Sequence, residues 1–204
     1  MLRKLNPGEG AIVRIVAFSG SVRRDSFNQR LVALAARGAK QAGAVTMVVS
    51  LREFGLPVYD ADHEAEQGIP AVALALKALL AEADGLLIAA PEYNSSITAL
   101  LKNTLDWLSR PAPGESPFAF TGLRGKVAGL MSASTGRLGG LRGLNHVREI
   151  LTQLFVLVPA EQVSIPFADQ AFDGAELTDP ALREAALAQG RRVVELVQKL
   201  HRTD

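Results

Sequence analysis

With 204 residues, 48% of them hydrophobic and 21% charged, the chain has the length of one globular domain and enough apolar material for a buried core. A formal net charge of +1 and a pI of about 8.1 give no overall field to draw nucleic acid or an anionic membrane, so any anion site has to be local. The lack of cysteine excludes disulfides, thiolate zinc centres, cysteine nucleophiles and CxxC redox pairs, and His63, His146 and His201 are too far apart to read as a metal site.

Residues 1–10 (MLRKLNPGEG) carry charges, Pro and Gly but no apolar stretch, and read as a loose tail ahead of a single domain over 11–204. Residues 11–18 (AIVRIVAF) are a β-branched run ending in Ser-Gly-Ser, which suits a buried strand followed by a turn. A helical pattern opens near Ser26, with Leu31, Leu34 and Ala35 on one face, and stops before Gly43. Residues 45–49 (VTMVV) form a second strand. Pro70 opens a helix whose stripe is Val72, Leu76, Leu79 and Leu80, and 85–90 (GLLIAA) is a third strand. The window 69–91 is broken by Lys77, Glu82 and Asp84, so it is no membrane span, and a soluble cytoplasmic protein is expected. A helix over 97–108 follows, then a Pro- and Gly-rich connection over 110–125. A fourth strand occupies 126–131, a long helix 141–157 and a fifth strand 162–166. Asp179 caps a last helix running to about His201.

Strands that are continuous apolar runs and alternate with helices imply a parallel sheet covered on both faces. The fold class expected is therefore α/β, a doubly wound five-stranded parallel sheet of order 2-1-3-4-5. That order places ligands at the carboxyl ends of strands one, three and four.

Three loops fall on that edge. The first, 19–28 (SGSVRRDSFN), joins a strand to a helix and gathers hydroxyls of Ser21 and Ser26, the Asn28 amide, the Arg23 guanidinium and the positive end of the helix. It reads as a phosphate cradle; the plainer alternative is that Ser26 only caps the helix and Arg23 is solvated. No GxGxxG or Walker spacing accompanies it, so a mononucleotide phosphate fits best. The second, Pro91-Glu92-Tyr93-Asn94, could line a planar heterocycle, or could be an ordinary connection in which Asn94 or Ser95 caps the next helix. The third, 132–140 (SASTGRLGG), permits close backbone approach to a ligand, or is a plain flexible link. Trp107 reads as packing at a core or a subunit seam.

The stretches GSVRRDSFN, PEYNSSITALLKNTLDW and SASTGRLGG resemble the NADPH-dependent FMN reductase family, over about residues 11–166. The resemblance implies a flavodoxin-like fold, bound FMN and NADPH or NADH as reductant. It implies hydride transfer to flavin N5, then delivery of two electrons to a small-molecule acceptor such as a quinone, azo compound, free flavin or metal oxyanion. It also implies a homodimer or homotetramer, with no catalytic side chain acting as acid or base. Carried over by position, Ser19, Ser21, Arg23, Ser26, Phe27 and Asn28 would hold the FMN phosphate. Pro91, Glu92, Tyr93 and Asn94 would line the ring and ribityl chain, and Ser132, Ser134, Thr135 and Gly136 would close over the ring's other edge. After PEYN the family usually has Pro-Gly where this chain has Thr98 and Ala99, which puts the local loop shape in question. His146 and Arg142 follow the third loop, either solvated, at an interface, or near a nicotinamide phosphate. The rival reading is a flavodoxin-type electron carrier that does not itself oxidise NAD(P)H; a hydrolase is disfavoured by the lack of a GxSxG elbow.

Overall fold

The structure, a computed structural model, describes residues 12–201, so the tail expected at 1–10 lies outside the described residues. The chain runs β1 (Arg14–Ser19), α1 (Phe27–Gln41), β2 (Val45–Ser50), a 3-10 turn (Leu51–Phe54), α2 (Ala61–Gln67), α3 (Ala71–Ala81) and β3 (Gly85–Ala89). It continues through β4 (Glu92–Tyr93), β5 (Ser96–Ile97), α4 (Ala99–Ser109), β6 (Val127–Ala133), α5 (Leu141–Gln153) and β7 (Gln162–Ile165). Last come α6 (Ala168–Ala171), β8 (Phe172–Asp173), β9 (Glu176–Leu177) and α7 (Pro180–His201).

The main sheet is parallel with order β2-β1-β3-β6-β7, which is 2-1-3-4-5 when its five strands are counted along the chain. Alternate residues of the central strands β1, β3 and β6 enter opposite cores. Ile15, Ala17, Leu87, Ala89 and Met131 pack under α1 and α7, while Val16, Phe18, Leu86, Ile88 and Leu130 pack under α3, α4 and α5. The two-faced burial explains why the central strands are apolar throughout.

α1 and α7 approach closely enough that neither helix tolerates a side chain at the crossing. A Cβ added at Gly38 would lie 2.0 Å from the Leu187 carbonyl oxygen, and one at Gly190 would lie 1.8 Å from that of Ala35. On the other face, buried Lys77 of α3 pairs with Glu115 at 2.8 Å and donates to the Arg110 carbonyl, fastening the 110–125 connection.

Several boundaries differ from expectation. The helix expected over 141–157 stops at Gln153, although Leu154, Val156 and Leu157 keep the apolar pattern going. Phe155 takes a left-handed φ of 60°, and Val156 N–H bonds back to Leu151 O at 3.0 Å, the bonding of a Schellman stop with Phe in glycine's usual place. Leu157 then pairs with Val127 beside β6. α2 is new; it buries no residue, so no periodic stripe announced it, and Asp60 caps it through the N–H groups of Asp62 and His63. No helix among the described residues is long and apolar enough to cross a membrane.

Candidate functional site

The carboxyl ends of β1, β3 and β6 lie side by side, and the three loops leaving them are tied together pairwise. The first and second loops are joined at Gly20: its N–H donates to Ala89 O (2.9 Å), and Thr98 Oγ1 donates to its carbonyl (2.7 Å). The first joins β6 through Asn28, whose amide donates to Ala133 O (2.7 Å) and accepts from Ala133 N–H (2.9 Å). The second joins the third through Glu92, which accepts from Arg142 Nε (2.9 Å), from Arg142 Nη2 and from Gly143 N–H (3.1 Å).

Within the first loop, Ser26 is buried and caps α1, accepting from Gln29 N–H at 3.3 Å. The capping alternative is therefore right about its acceptor lone pair, while its hydroxyl hydrogen stays free to donate. Ser21 Oγ accepts from Arg23 N–H at 3.3 Å and likewise keeps its hydrogen. The Arg23 side chain is exposed and makes no hydrogen bond or ion pair among the described residues. Two expectations change here. Asn28 spends its carbonyl and one amide hydrogen on Ala133, so its first role is to hold α1 to β6. The Phe27 ring turns away to stack on Phe172, with centroids 5.7 Å apart, so Phe27 offers the loop only its N–H in the first helical turn. One contributor escaped the sequence: Arg52, on the 3-10 turn after β2, donates to the Val22 carbonyl. Strand order held the signal, since β2 neighbours β1 and ends beside its loop.

The second loop is a hairpin, not an irregular connection. β4 and β5 pair antiparallel, and Asn94 and Ser95 form the two-residue turn with φ of 50° and 67°. Positive φ at both central residues is the type I′ geometry that matches strand twist. Neither residue caps the next helix; Thr98 does, accepting from Leu101 N–H at 3.2 Å. Pro91 is buried, and Tyr93 presents its ring to solvent at 53% exposure. Burial alone would push the Glu92 carboxyl up, but the Arg142 guanidinium and the Gly143 N–H outweigh it and hold the carboxyl below the usual glutamate value.

The third loop begins later than expected, because β6 runs on through Ala133. Ser132 is therefore a buried strand residue on the α5 face, with its Oγ close to Gly140 and, like that of Ser19, without a partner among the described residues. Ser19, by strand alternation, faces α1 on the opposite side of the sheet, so the two serines are not brought together. Ser134 Oγ accepts from Gly136 N–H at 3.2 Å, and Thr135, Gly136 and Arg137 are exposed. Glu92, Ser134, Gly136, Arg137 and Arg142 line a shallow, open cleft of about 240 Å³, smaller than a typical small-molecule pocket. His146 Nδ1 lies 2.9 Å from Ser96 Oγ, on α5 against the hairpin. Trp107 belongs to the core of this chain: it is fully buried, its Nε1 donates to Pro57 O at 2.8 Å, and Tyr59 meets its ring edge-on.

An anionic mononucleotide fits what is present. Ser19 Oγ is buried beside the start of α1 with no partner among the described residues, and Arg23 lacks a counter-charge. The N–H groups of Phe27 and Asn28 open α1 without an acceptor among the described residues, while that of Gln29 goes to Ser26 Oγ.

A doubly wound sheet with an anion-ready loop after its first strand and two further loops converging on it defines a flavodoxin-like α/β protein. The model of the NADPH-dependent FMN reductase family matches residues 13–170. A quinone reductase of Escherichia coli (strain K12) is 36% identical over 146 residues, 72% of this chain and 73% of that protein. An NAD(P)H-dependent FMN reductase of Pseudomonas aeruginosa is 34% identical over 195 residues, 92% of this chain and 97% of that one. The solved structure of FerB, a flavoenzyme NAD(P)H:(acceptor) oxidoreductase from Paracoccus denitrificans, superposes with a TM-score of 0.76 at 23% identity, covering 92% of this chain and 98% of that chain, and shares its fold. The chain belongs to the NADPH-dependent FMN reductase family, whose oxidoreductases work with FMN and NAD(P)H.

Proposed function

We propose that FMN binds across the three tied loops, with its phosphate on residues 19–28 and its ring between the β4–β5 hairpin and residues 134–136. NADPH or NADH would reduce it there, and two electrons would then pass to a small-molecule acceptor of quinone, azo, free-flavin or metal-oxyanion type. The proposal extends to residues 11–204 acting as one unit, to a cytoplasmic setting and to an assembly of two or four copies. The observation that carries it is the fastening of the first loop to the hairpin through Gly20–Thr98 and of the start of α1 to the end of β6 through Asn28–Ala133.

Bound FMN supplies the hydride chemistry at its N5. The chain's own residues bind and orient. Free hydroxyl hydrogens of Ser19, Ser21 and Ser26, the N–H groups opening α1 and the Arg23 fork meet the phosphate oxygens. Exposed Tyr93 would offer a flat surface to the ring, and the exposed backbone at Gly136 would line the other side of its site. Arg137, exposed and unpaired among the described residues, adds positive charge where negative charge develops on reduction. Glu92 is not a proton donor in this scheme, because Arg142 holds it ionised.

The deciding experiment is anaerobic reduction. The purified protein reconstituted with FMN should be yellow, its flavin band should bleach with NADPH or NADH, and a quinone should restore it. Protein that ignores added FMN would sink the proposal, and a flavin band untouched by either nicotinamide would make the chain an electron carrier.

A further inference from the structure

We propose that Thr98 is a positioning residue for the phosphate loop, an inference that rests on the FMN reading above. Thr98 is 3% exposed, and its hydroxyl is fully committed. It donates to the Gly20 carbonyl at 2.7 Å and accepts from Leu101 N–H at 3.2 Å, so it has no freedom to swing away. Gly20 is held on its other sides as well. Its N–H is on Ala89 O at 2.9 Å, and a Cβ there would come within 2.9 Å of Leu101 Cβ.

The peptide after Gly20 leads directly into Ser21 of the phosphate cradle. Fixing the Gly20 carbonyl therefore fixes the direction in which the loop leaves β1. Thr98 also follows β5 immediately, so one hydroxyl sets the spacing between the loop assigned to the phosphate and the hairpin assigned to the ring. A proline at 98 could not make this bond, having no side-chain donor. The link needs a hydroxyl, not a threonine as such.

The test uses full-length apoprotein titrated with FMN and with riboflavin, which has the same ring and ribityl chain but no phosphate. The quantity read is the ratio of the two affinities. In Thr98→Val and Thr98→Ala the preference for FMN should fall about fivefold, the fold-change matching one net hydrogen bond. In Thr98→Ser it should be retained, and riboflavin affinity should stay the same in all three variants. Retention of the full preference in Thr98→Val and Thr98→Ala overturns the proposal. So does an equal weakening of both ligands, which would make Thr98 a helix cap only, and so does failure of Thr98→Ser to restore the ratio. Wild-type protein that binds FMN no better than riboflavin removes the phosphate-loop reading first, and Thr98's role with it.

Discussion

The Asn28 side chain and the Ala133 peptide unit exchange two hydrogen bonds, at 2.7 and 2.9 Å, across 105 positions of sequence. Both partners are buried, so neither end of the pair can turn to water when the other is removed. Asn28→Ala should cost roughly 2–3 kcal/mol, the penalty for stranding a buried donor and acceptor together. Urea unfolding of the apoprotein measures it. A loss below about 0.5 kcal/mol would show that the pair adds nothing net.

Arg23 should matter to ligand affinity and not to the fold. Its guanidinium has no partner among the described residues, so Arg23→Ala should leave apoprotein stability unchanged while weakening FMN binding by roughly 1–3 kcal/mol, the scale of a charged hydrogen bond. Riboflavin affinity should not change. Equal effects on FMN and riboflavin would remove Arg23 from the phosphate.

The Glu92–Arg142 pair predicts a pH dependence. A carboxyl held lower in the folded protein than in the unfolded chain contributes stability that is complete above its unfolded value and disappears as pH falls through its folded one. The Glu92 contribution should therefore be flat from neutral pH down to the ordinary glutamate range and vanish below it. Glu64, lowered against its burial by Arg110 and Tyr59, and Glu115, lowered against its burial by Lys77, act in the same window. Glu92→Gln should shift the acid unfolding midpoint upward and reduce its steepness, as read by circular dichroism. An unchanged acid limb would mean the pair is solvated.

Gly38→Ala and Gly190→Ala should each destabilise by about 3 kcal/mol, because the added methyl meets backbone and not a yielding side chain. This inverts the usual gain from replacing a helical glycine with alanine. Thermal unfolding of both variants provides the comparison, and a stabilised variant would refute the close crossing.

Ser95 holds φ of 67° in the hairpin turn, a region glycine enters without steric cost. Ser95→Gly produces the Asn-Gly pair favoured in type I′ turns and should stabilise the protein by about 0.5–1 kcal/mol. Loss of stability would mean that the Ser95 side chain contributes more than its backbone costs.

The sheet was legible because its central strands are unbroken apolar runs, and that pattern has one economical arrangement once helices alternate with them. The edge where the loops gather followed from the strand order. Boundaries were legible only where local chemistry marked them, as Ser26 and Gly43 do for α1. Leu154, Val156 and Leu157 continue an apolar series past the end of α5, and only the backbone of Phe155 reveals the stop. The β4–β5 hairpin is two residues long on each side and turns on Asn-Ser, so neither alternation nor a glycine signalled it. The tie from Asn28 to Ala133 was not legible because its partner lies on β6. Ser132 looked like a loop residue because its strand ends two residues later than its apolar run suggests. In both cases the missing information was a contact between distant segments, which no local pattern carries.

The pairwise fastening of the loops has a thermodynamic consequence. The ties Gly20–Thr98, Asn28–Ala133 and Glu92–Arg142 order the backbone at these points of the edge as the chain folds. A guest arriving at this edge meets backbone that has already lost its conformational entropy. Association should therefore be rapid, with a heat-capacity change set by the surface covered and no added contribution from coupled folding.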